Sequence, residues 1–114
     1  MMDVYAKTNS YMVSFTGVTV GIVNACTSYY NSWSNQMNPI SKWRFTKVYI
    51  NIDAIAKYSS TQKQGMFAHE IGHTLGLTEN NTNPNSIMCQ AGYNRAVYTV
   101  QQCDNTPAVA ACNK

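Results

Sequence analysis

Residues 59–76 constrain the fold of this chain more than any other stretch, because they predict one helix that carries both of its histidines. Polar residues at 59–61 can begin this helix, and Thr61 with Gln64 has the spacing of a capping box. Gly76 stands where a left-handed residue commonly ends a helix. One face of the helix is predicted to be an apolar stripe made of Phe67, Ile71 and Leu75.

The histidines of this helix, His69 and His73, are four residues apart, so both imidazoles project from the same face. That spacing allows both to bind one metal ion, with Glu70 beside them as a general base. An ordinary amphipathic helix with two surface histidines is the alternative. The combination of capping, spacing and helical context favours a site for one catalytic Zn²⁺.

A family resemblance rests on this helix and on the segment that follows it. The sequence "HEIGHTLGL", followed by "NPNSIM", resembles the metzincin clan of zinc metalloproteases, and most of all its matrixin-like secreted bacterial members. Their signature is HExxHxxGxxH or HExxHxxGxxD, followed by a Met-turn. The resemblance implies a zinc-dependent endopeptidase that hydrolyses peptide bonds with a metal-activated water. Glu70 would be its general base, and Met88 would lie beneath the metal as a hydrophobic base for the histidines.

The same resemblance implies an α+β, zincin-like fold. A small twisted sheet, mostly antiparallel or mixed, would pack on the active-site helix, and a Met-turn and a short C-terminal helix would follow. We expect residues 1–114 to form one compact catalytic domain. Residues 18–26 are expected to be a strand followed by a loop, in which case the family's backing helix is absent and the domain is truncated or minimal. The alternative is a helix over this region, which would supply the backing helix.

The third metal ligand departs from the family pattern. The clan has histidine or aspartate at this position, and this chain has Glu79. The other carboxylates that could serve are Asp3, Asp53 and Asp104, but Glu79 occupies the family's own position, three residues after Gly76. A carboxylate ligand would make the zinc a weaker Lewis acid, so we expect activity that is lower or shifted to higher pH. The alternative is a zinc-binding pseudoenzyme or binding domain with weak or no turnover.

The substrate pocket is also inferred from the resemblance. The Met-turn and the residues after it would line a pocket beside the zinc, and its candidate residues are Gln90, Tyr93 and Tyr98. Gln90 stands where some metzincins carry a tyrosine that reaches the zinc. The aromatic residues and Met88 suggest an apolar preference for a peptide or protein substrate.

The remaining secondary structure follows from local patterns. Two short strands, Val4 to Lys7 and Met12 to Phe15, are predicted on either side of a turn at Asn9-Ser10. A clearer strand is predicted over residues 44–52, which Asp53 closes. A last short helix is predicted over residues 94–102.

The composition narrows the partners and the compartment. Of 114 residues, 45% are hydrophobic and only 11% are charged, and the net charge of +3 comes from dispersed residues without a basic run. We therefore expect no nucleic-acid partner, no membrane partner and a monomeric protein. The polar, weakly charged surface favours secretion. Since no signal peptide is visible, a secreted protein of this sequence would be a processed form.

Four cysteines complete the pattern, and none of them has CxxC spacing. An even number in a short chain predicts disulfides, for which three pairings are possible. We favour Cys89 with Cys103, which are close in sequence, leaving Cys26 for Cys112. Four buried free thiols in a cytosolic protein are the alternative.

Overall fold

The computed structural model describes residues 2–17, 24–31, 33, 35–37, 43–90 and 94–105. The chain divides into two compact units, Met1–Tyr58 and Ser59–Lys114. The described strands all lie in the first unit, and the histidine helix lies in the second. These elements make a small α+β fold with a mixed four-stranded sheet, which agrees with the predicted class at that level.

The sheet of the first unit has the order β1-β4-β2-β3. Its strands are β1 (Met2–Lys7), β2 (Ala25–Tyr30), β3 (Gln36–Met37) and β4 (Phe45–Asn51). The pairing of β1 with β4 is parallel, whereas β2 pairs antiparallel with both β4 and β3. Of the four strands, β4 has the most buried residues, and its Thr, Val, Tyr and Ile residues are typical of strands. The strands predicted over 4–7 and 44–52 are confirmed within a few residues.

A helix, α1 (Asn9–Thr16), stands where a turn and a second strand were predicted. Thr8 caps its first turn by accepting a hydrogen bond from the backbone N–H of Tyr11, and Gly17 ends it at φ 72. The ring of Phe15 packs on Tyr49 of β4 with centroids 4.5 Å apart. The strand prediction for Met12 to Phe15 was wrong because this packing overrides the modest β preference of the segment.

A short helix, α2 (Ile52–Ile55), follows β4 directly. The fully buried side chain of Asn51 begins it by accepting hydrogen bonds from the backbone N–H groups of Asp53 and Ala54. The same amide donates to Asn9 Oδ1 at 2.9 Å, and Asp53 accepts from the backbone N–H of Asn9 at 2.7 Å. The starts of α1 and α2 are therefore tied together.

The region predicted as a strand over 18–26 is described only in part. Residues 18–23 lie outside the described residues, and β2 begins at Ala25. β2 therefore shares only residues 25 and 26 with the predicted strand. The loop predicted after residue 26 was wrong for residues 27–30, which belong to β2, and the alternative helix is not formed over residues 25–30.

The helix α3 (Ser60–Thr74) of the second unit confirms the predicted histidine helix. Its capping box uses Ser59 and Gln62, so the predicted pairing of Thr61 with Gln64 was wrong by two residues. The predicted apolar stripe is not the buried face, since its three residues are 37% to 44% exposed. The buried residues of α3 are Gly65, Met66, His69, Glu70 and Gly72.

The predicted helix over 94–102 is wrong for most of its length. Asn94 has φ 63, and the N–H of Ala96 bonds to the carbonyl of Pro84 at 2.7 Å instead of to a helical partner. Residues 102–105 form one helical turn. Within the described residues, no helix combines the length and the apolar character that a bilayer crossing requires.

Candidate metal centre

The two histidines are presented by α3 as its sequence predicts. His69 is buried, and the His73 side chain is 13% exposed. Their ring centroids are 4.9 Å apart with an interplanar angle of 88°, as expected for residues one helical turn apart. Both rings can therefore present one nitrogen to a common point.

Backbone carbonyls fix which nitrogen that is. His69 Nδ1 lies 2.8 Å from the carbonyl oxygen of Ile87, and His73 Nδ1 lies 2.9 Å from that of Leu77. A carbonyl only accepts, so each Nδ1 carries the proton. In the neutral rings, both Nε2 atoms are then unprotonated and able to bind a metal.

Glu79 faces these two nitrogens with both carboxylate oxygens. His69 Nε2 lies 3.1 Å from Glu79 Oε2, and His73 Nε2 lies 3.2 Å from Glu79 Oε1. Gly76, at φ 92, makes the turn after α3 that returns the chain, and the N–H of Leu77 bonds to the carbonyl of Gly72. Among the described residues, this is the one cluster of His, Cys, Asp and Glu side chains that could hold a metal ion.

The segment that carries Glu79 is held by the chain beyond it. The backbone N–H of Asn80 bonds to the carbonyl of Met88 at 2.9 Å. The side-chain amide of Asn81 donates to Gln90 Oε1 and accepts from the backbone N–H of Gln90, both at 2.8 Å. The position of Glu79 therefore depends on residues 88–90.

The donor set fits a divalent transition metal. With Nδ1 protonated, each neutral imidazole directs a lone pair at a carboxylate oxygen, so two acceptors face each other and repel. Only a proton or a metal cation between them makes this arrangement favourable. Two imidazoles and one carboxylate are a ligand set of catalytic zinc sites, in which a fourth position stays open.

The charges within the cluster shift its pKa values. Burial by itself would lower the pKa of His73, but the hydrogen bond to Glu79, the charge of Glu70 and the hydrogen bond to Leu77 together raise it. Burial would raise the pKa of Glu79, but its hydrogen bonds to His69 and His73 lower it to about 2. The cluster therefore holds a carboxylate and a basic imidazole at neutral pH.

Met88 packs against the backbone of α3 at Gly72. It belongs to a tight turn at residues 86–89, closed by a hydrogen bond from the N–H of Cys89 to the carbonyl of Ser86, which we call the 86–89 turn. A Cβ placed on Gly72 would collide with Met88 Sδ, so the thioether lies against the helix backbone between the histidines. Gly72 was not predicted to have a role, although it is a small residue between the two predicted ligands in the sequence HEIGH.

Asp104 is a second residue whose role the sequence analysis missed, since it was weighed only as a metal ligand. Its buried carboxylate accepts from Ser86 Oγ at 2.5 Å, from the backbone N–H of Ile87 at 3.1 Å and from that of Gln101 at 2.9 Å. Ser86 Oγ in turn accepts from the backbone N–H of Met88, which shares a peptide group with the Ile87 carbonyl that accepts from His69. Asp104 therefore supports this carbonyl through Ser86.

The other predicted site residues are placed as follows. Glu70 is buried on α3, beside His69. Gln90 is paired with Asn81, and Tyr98 packs over Gly65, where its ring comes within 2.8 Å of an ideal Cβ position. Tyr93 lies outside the described residues. Their role in a substrate pocket stays a prediction.

The cysteines do not form the favoured bond in this structure. Cys103 is a free thiol, with its sulfur 3.7 Å from the carbonyl of Asn85, so the predicted bond from Cys89 to Cys103 is not made. Cys103 is exposed at the start of the 102–105 turn, whereas Cys89 is buried. Cys112 lies outside the described residues, and its pairing with Cys26 stays a prediction.

Comparisons with protein-family models, with curated proteins and with solved structures find no match for this chain. The function is therefore inferred from the residues of the proposed metal centre themselves.

Proposed function

We propose that the chain is a zinc-dependent endopeptidase of the metzincin type, with His69, His73 and Glu79 as zinc ligands. The proposal rests on one observation: both imidazole Nε2 atoms converge on the two oxygens of Glu79 while both Nδ1 atoms are bonded to backbone carbonyls. Three protein ligands with an open fourth position are typical of catalytic zinc, whereas structural sites are closed by four.

Glu70 is the general base and acid of the proposed reaction. Zinc in this site would supply a Lewis acid that polarises the scissile carbonyl and lowers the pKa of a water. Glu70 takes the proton from the attacking water and passes it to the leaving amide nitrogen. Its burial next to His69 supports this role, because α3 then fixes the carboxylate relative to the ligands.

Glu79 tunes the proposed activity. Its carboxylate adds a negative charge that a third histidine would not bring, so the bound metal is a weaker Lewis acid. We expect peptide hydrolysis that is slower, or optimal at a higher pH, than in a variant with histidine at this position.

The metzincin assignment has two further supports. Gly76 and Ser86-Ile87-Met88 match the clan's glycine and Met-turn, and Met88 packs against Gly72, which lies between the two histidines in the sequence. We further propose a secreted monomer that acts on peptides or proteins, from the weakly charged composition and the four cysteines.

Zinc content and proteolysis, measured on one preparation, test the proposal. The purified protein should hold one equivalent of zinc by atomic absorption and cleave a denatured protein substrate. Glu70→Ala should keep the zinc and lose cleavage, and His73→Ala should lose both. Zinc at one equivalent without cleavage between about pH 6 and pH 10 would instead identify a zinc-binding pseudoenzyme.

A further inference from the structure

Arg95 has unused hydrogen-bonding capacity close to the proposed centre. Its guanidinium is partly buried and makes a single hydrogen bond to the described residues, from Nη1 to the carbonyl of Cys89 at 3.4 Å. Its Nε is buried and has no hydrogen-bond partner. In the described parts of the chain, no carboxylate forms an ion pair with this guanidinium. A guanidinium carries five N–H donors, so most of them are available.

The guanidinium lies on α3, one turn before the metal ligands. Arg95 Nη2 is 3.2 Å from the position of a Cβ on Gly65, and Gly65 precedes His69 by four residues on the same helix face. Only a glycine lets both Arg95 and Tyr98 come this close to the helix backbone. The cation is therefore held beside the His69 end of the cluster.

The positive charge of Arg95 interacts with the carboxylates of Glu70 and Glu79, but neither of them forms an ion pair with it. Burial lowers its pKa, while the charges of Cys89, Tyr98, Glu70 and Glu79 act in the opposite direction. Glu70 and Glu79 together balance a divalent ion, so Arg95 leaves the proposed centre with one excess positive charge. Asp104, the remaining acid in the second unit, already accepts three hydrogen bonds.

We propose that Arg95 recognises a carboxylate of the peptide substrate, either an acidic side chain near the scissile bond or a free C-terminus. The inference rests on the proposed peptidase function and names its substrate class. A carboxylate accepts two parallel N–H bonds from a guanidinium and completes the bonding that Arg95 lacks. The apolar substrate preference expected from the sequence would then apply only to substrate residues next to the recognised carboxylate.

Matched peptides test this recognition. One pair differs only by Glu or Gln beside the scissile bond, and a second pair differs only by a C-terminal carboxylate or amide. The wild type should cleave the acidic member of one pair with a kcat/KM higher by about tenfold or more, because the neutral member leaves the guanidinium unpaired. The pair that shows the preference identifies which carboxylate is bound.

The variants separate recognition from general damage. Arg95→Gln should bring the ratio of the two kcat/KM values to about one, and Arg95→Lys should lower it, because a lysine lacks the planar fork. Lys63→Gln removes a charge elsewhere on α3 and should leave the ratio unchanged. Gly65→Ala keeps the charge but displaces Arg95 and Tyr98, so it should also lower the ratio.

Binding measurements distinguish failure of this inference from failure of the proposed function. The same peptide pairs are titrated into the Glu70→Ala variant, with and without Arg95→Gln, by calorimetry. Cleavage of no peptide would contradict the peptidase, but tighter binding of the acidic member, lost with Arg95→Gln, would still support Arg95. Equal treatment of acidic and neutral peptides in both assays overturns the role of Arg95, as does an equal loss on both peptides in Arg95→Gln.

Discussion

His69 Nε2 and Glu79 Oε2 face each other at 3.1 Å, and neither atom is a donor while the neutral imidazole donates from Nδ1 to Ile87. The same holds for His73 Nε2 and the other oxygen of Glu79 at 3.2 Å. Two such acceptor pairs at one point require positive charge between them. The histidine helix and Glu79 are therefore arranged as a cation site.

Glu79→Ala should lower zinc affinity by at least about 100-fold, since even the loss of a partner outside the ligands costs 10–100-fold. Glu79→His should keep one equivalent of zinc and raise cleavage at neutral pH. Both are measured by competition with a chromophoric chelator and by peptide hydrolysis. Full zinc stoichiometry with unchanged affinity in Glu79→Ala would show that the ligand assignment is wrong.

The metal-free protein should be most stable at mildly acidic pH. The pKa of Glu79 is lowered from 4.5 to about 2, so its contribution is present above pH 4.5 and is lost as the pH falls towards 2. The pKa of His73 is raised from 6.5, so its contribution is present below pH 6.5 and is lost as the pH rises through the raised value. The free energy of unfolding, measured with denaturant in the presence of EDTA over a range of pH, should fall on both the acidic and the basic side of this maximum.

Glu79→Gln is the control for this pH dependence. It removes the carboxylate that both histidines face, so the difference in unfolding free energy between wild type and variant should peak at the same mildly acidic pH. A difference that stays constant with pH would mean that the cluster does not contribute in the metal-free state.

Gly72→Ala should destabilise the protein by about 1–3 kcal/mol and weaken zinc binding, because its methyl group would overlap Met88 Sδ. In the double variant with Met88→Ala, the added methyl group meets a vacated space. The two effects should then be clearly less than additive in a double-mutant cycle. Strict additivity would place Met88 away from Gly72.

Asp104→Asn should cost about 1–3 kcal/mol of stability, since a buried acceptor of three hydrogen bonds loses its charge and one acceptor oxygen. Zinc affinity should also fall by about 10-fold or more, because Ser86 is held less firmly and with it the Ile87 carbonyl that orients His69. Asp53→Asn, the same change in the first unit, should leave zinc affinity unaltered. Equal zinc affinities in the two variants would remove Asp104 from the support of the site.

The cluster of His69, His73 and Glu79 could be predicted from sequence because its geometry is local. His69 and His73 share one helix, and Glu79 is placed by a turn only three residues earlier at Gly76. These residues are at most ten positions apart in the sequence, and over such short distances the spacing determines which side chains lie on the same face. The strand β4 was equally predictable, since five of its seven residues are β-branched or aromatic.

The features that were not predicted correctly depend on contacts between residues that are distant in the sequence. Asp104 meets Ser86 across 18 residues, and no local pattern indicates this. The α1 segment has β-prone residues, but Thr8 and Gly17 cap it and Phe15 packs on Tyr49. The buried face of α3 was misplaced because Gly65 and Gly72, which have no side chains, carry the closest packing.

Each ligand imidazole is oriented by a main-chain oxygen, of Leu77 for His73 and of Ile87 for His69. No amino-acid exchange at either position deletes that oxygen, so the tautomer is encoded in the path of the backbone. Relatives with the same centre are therefore expected to share the helix, the glycines and the two turns, while positions 77 and 87 exchange only among apolar residues, because both side chains are buried in the core. A search for them should weight the chain trace around the histidines above residue identity.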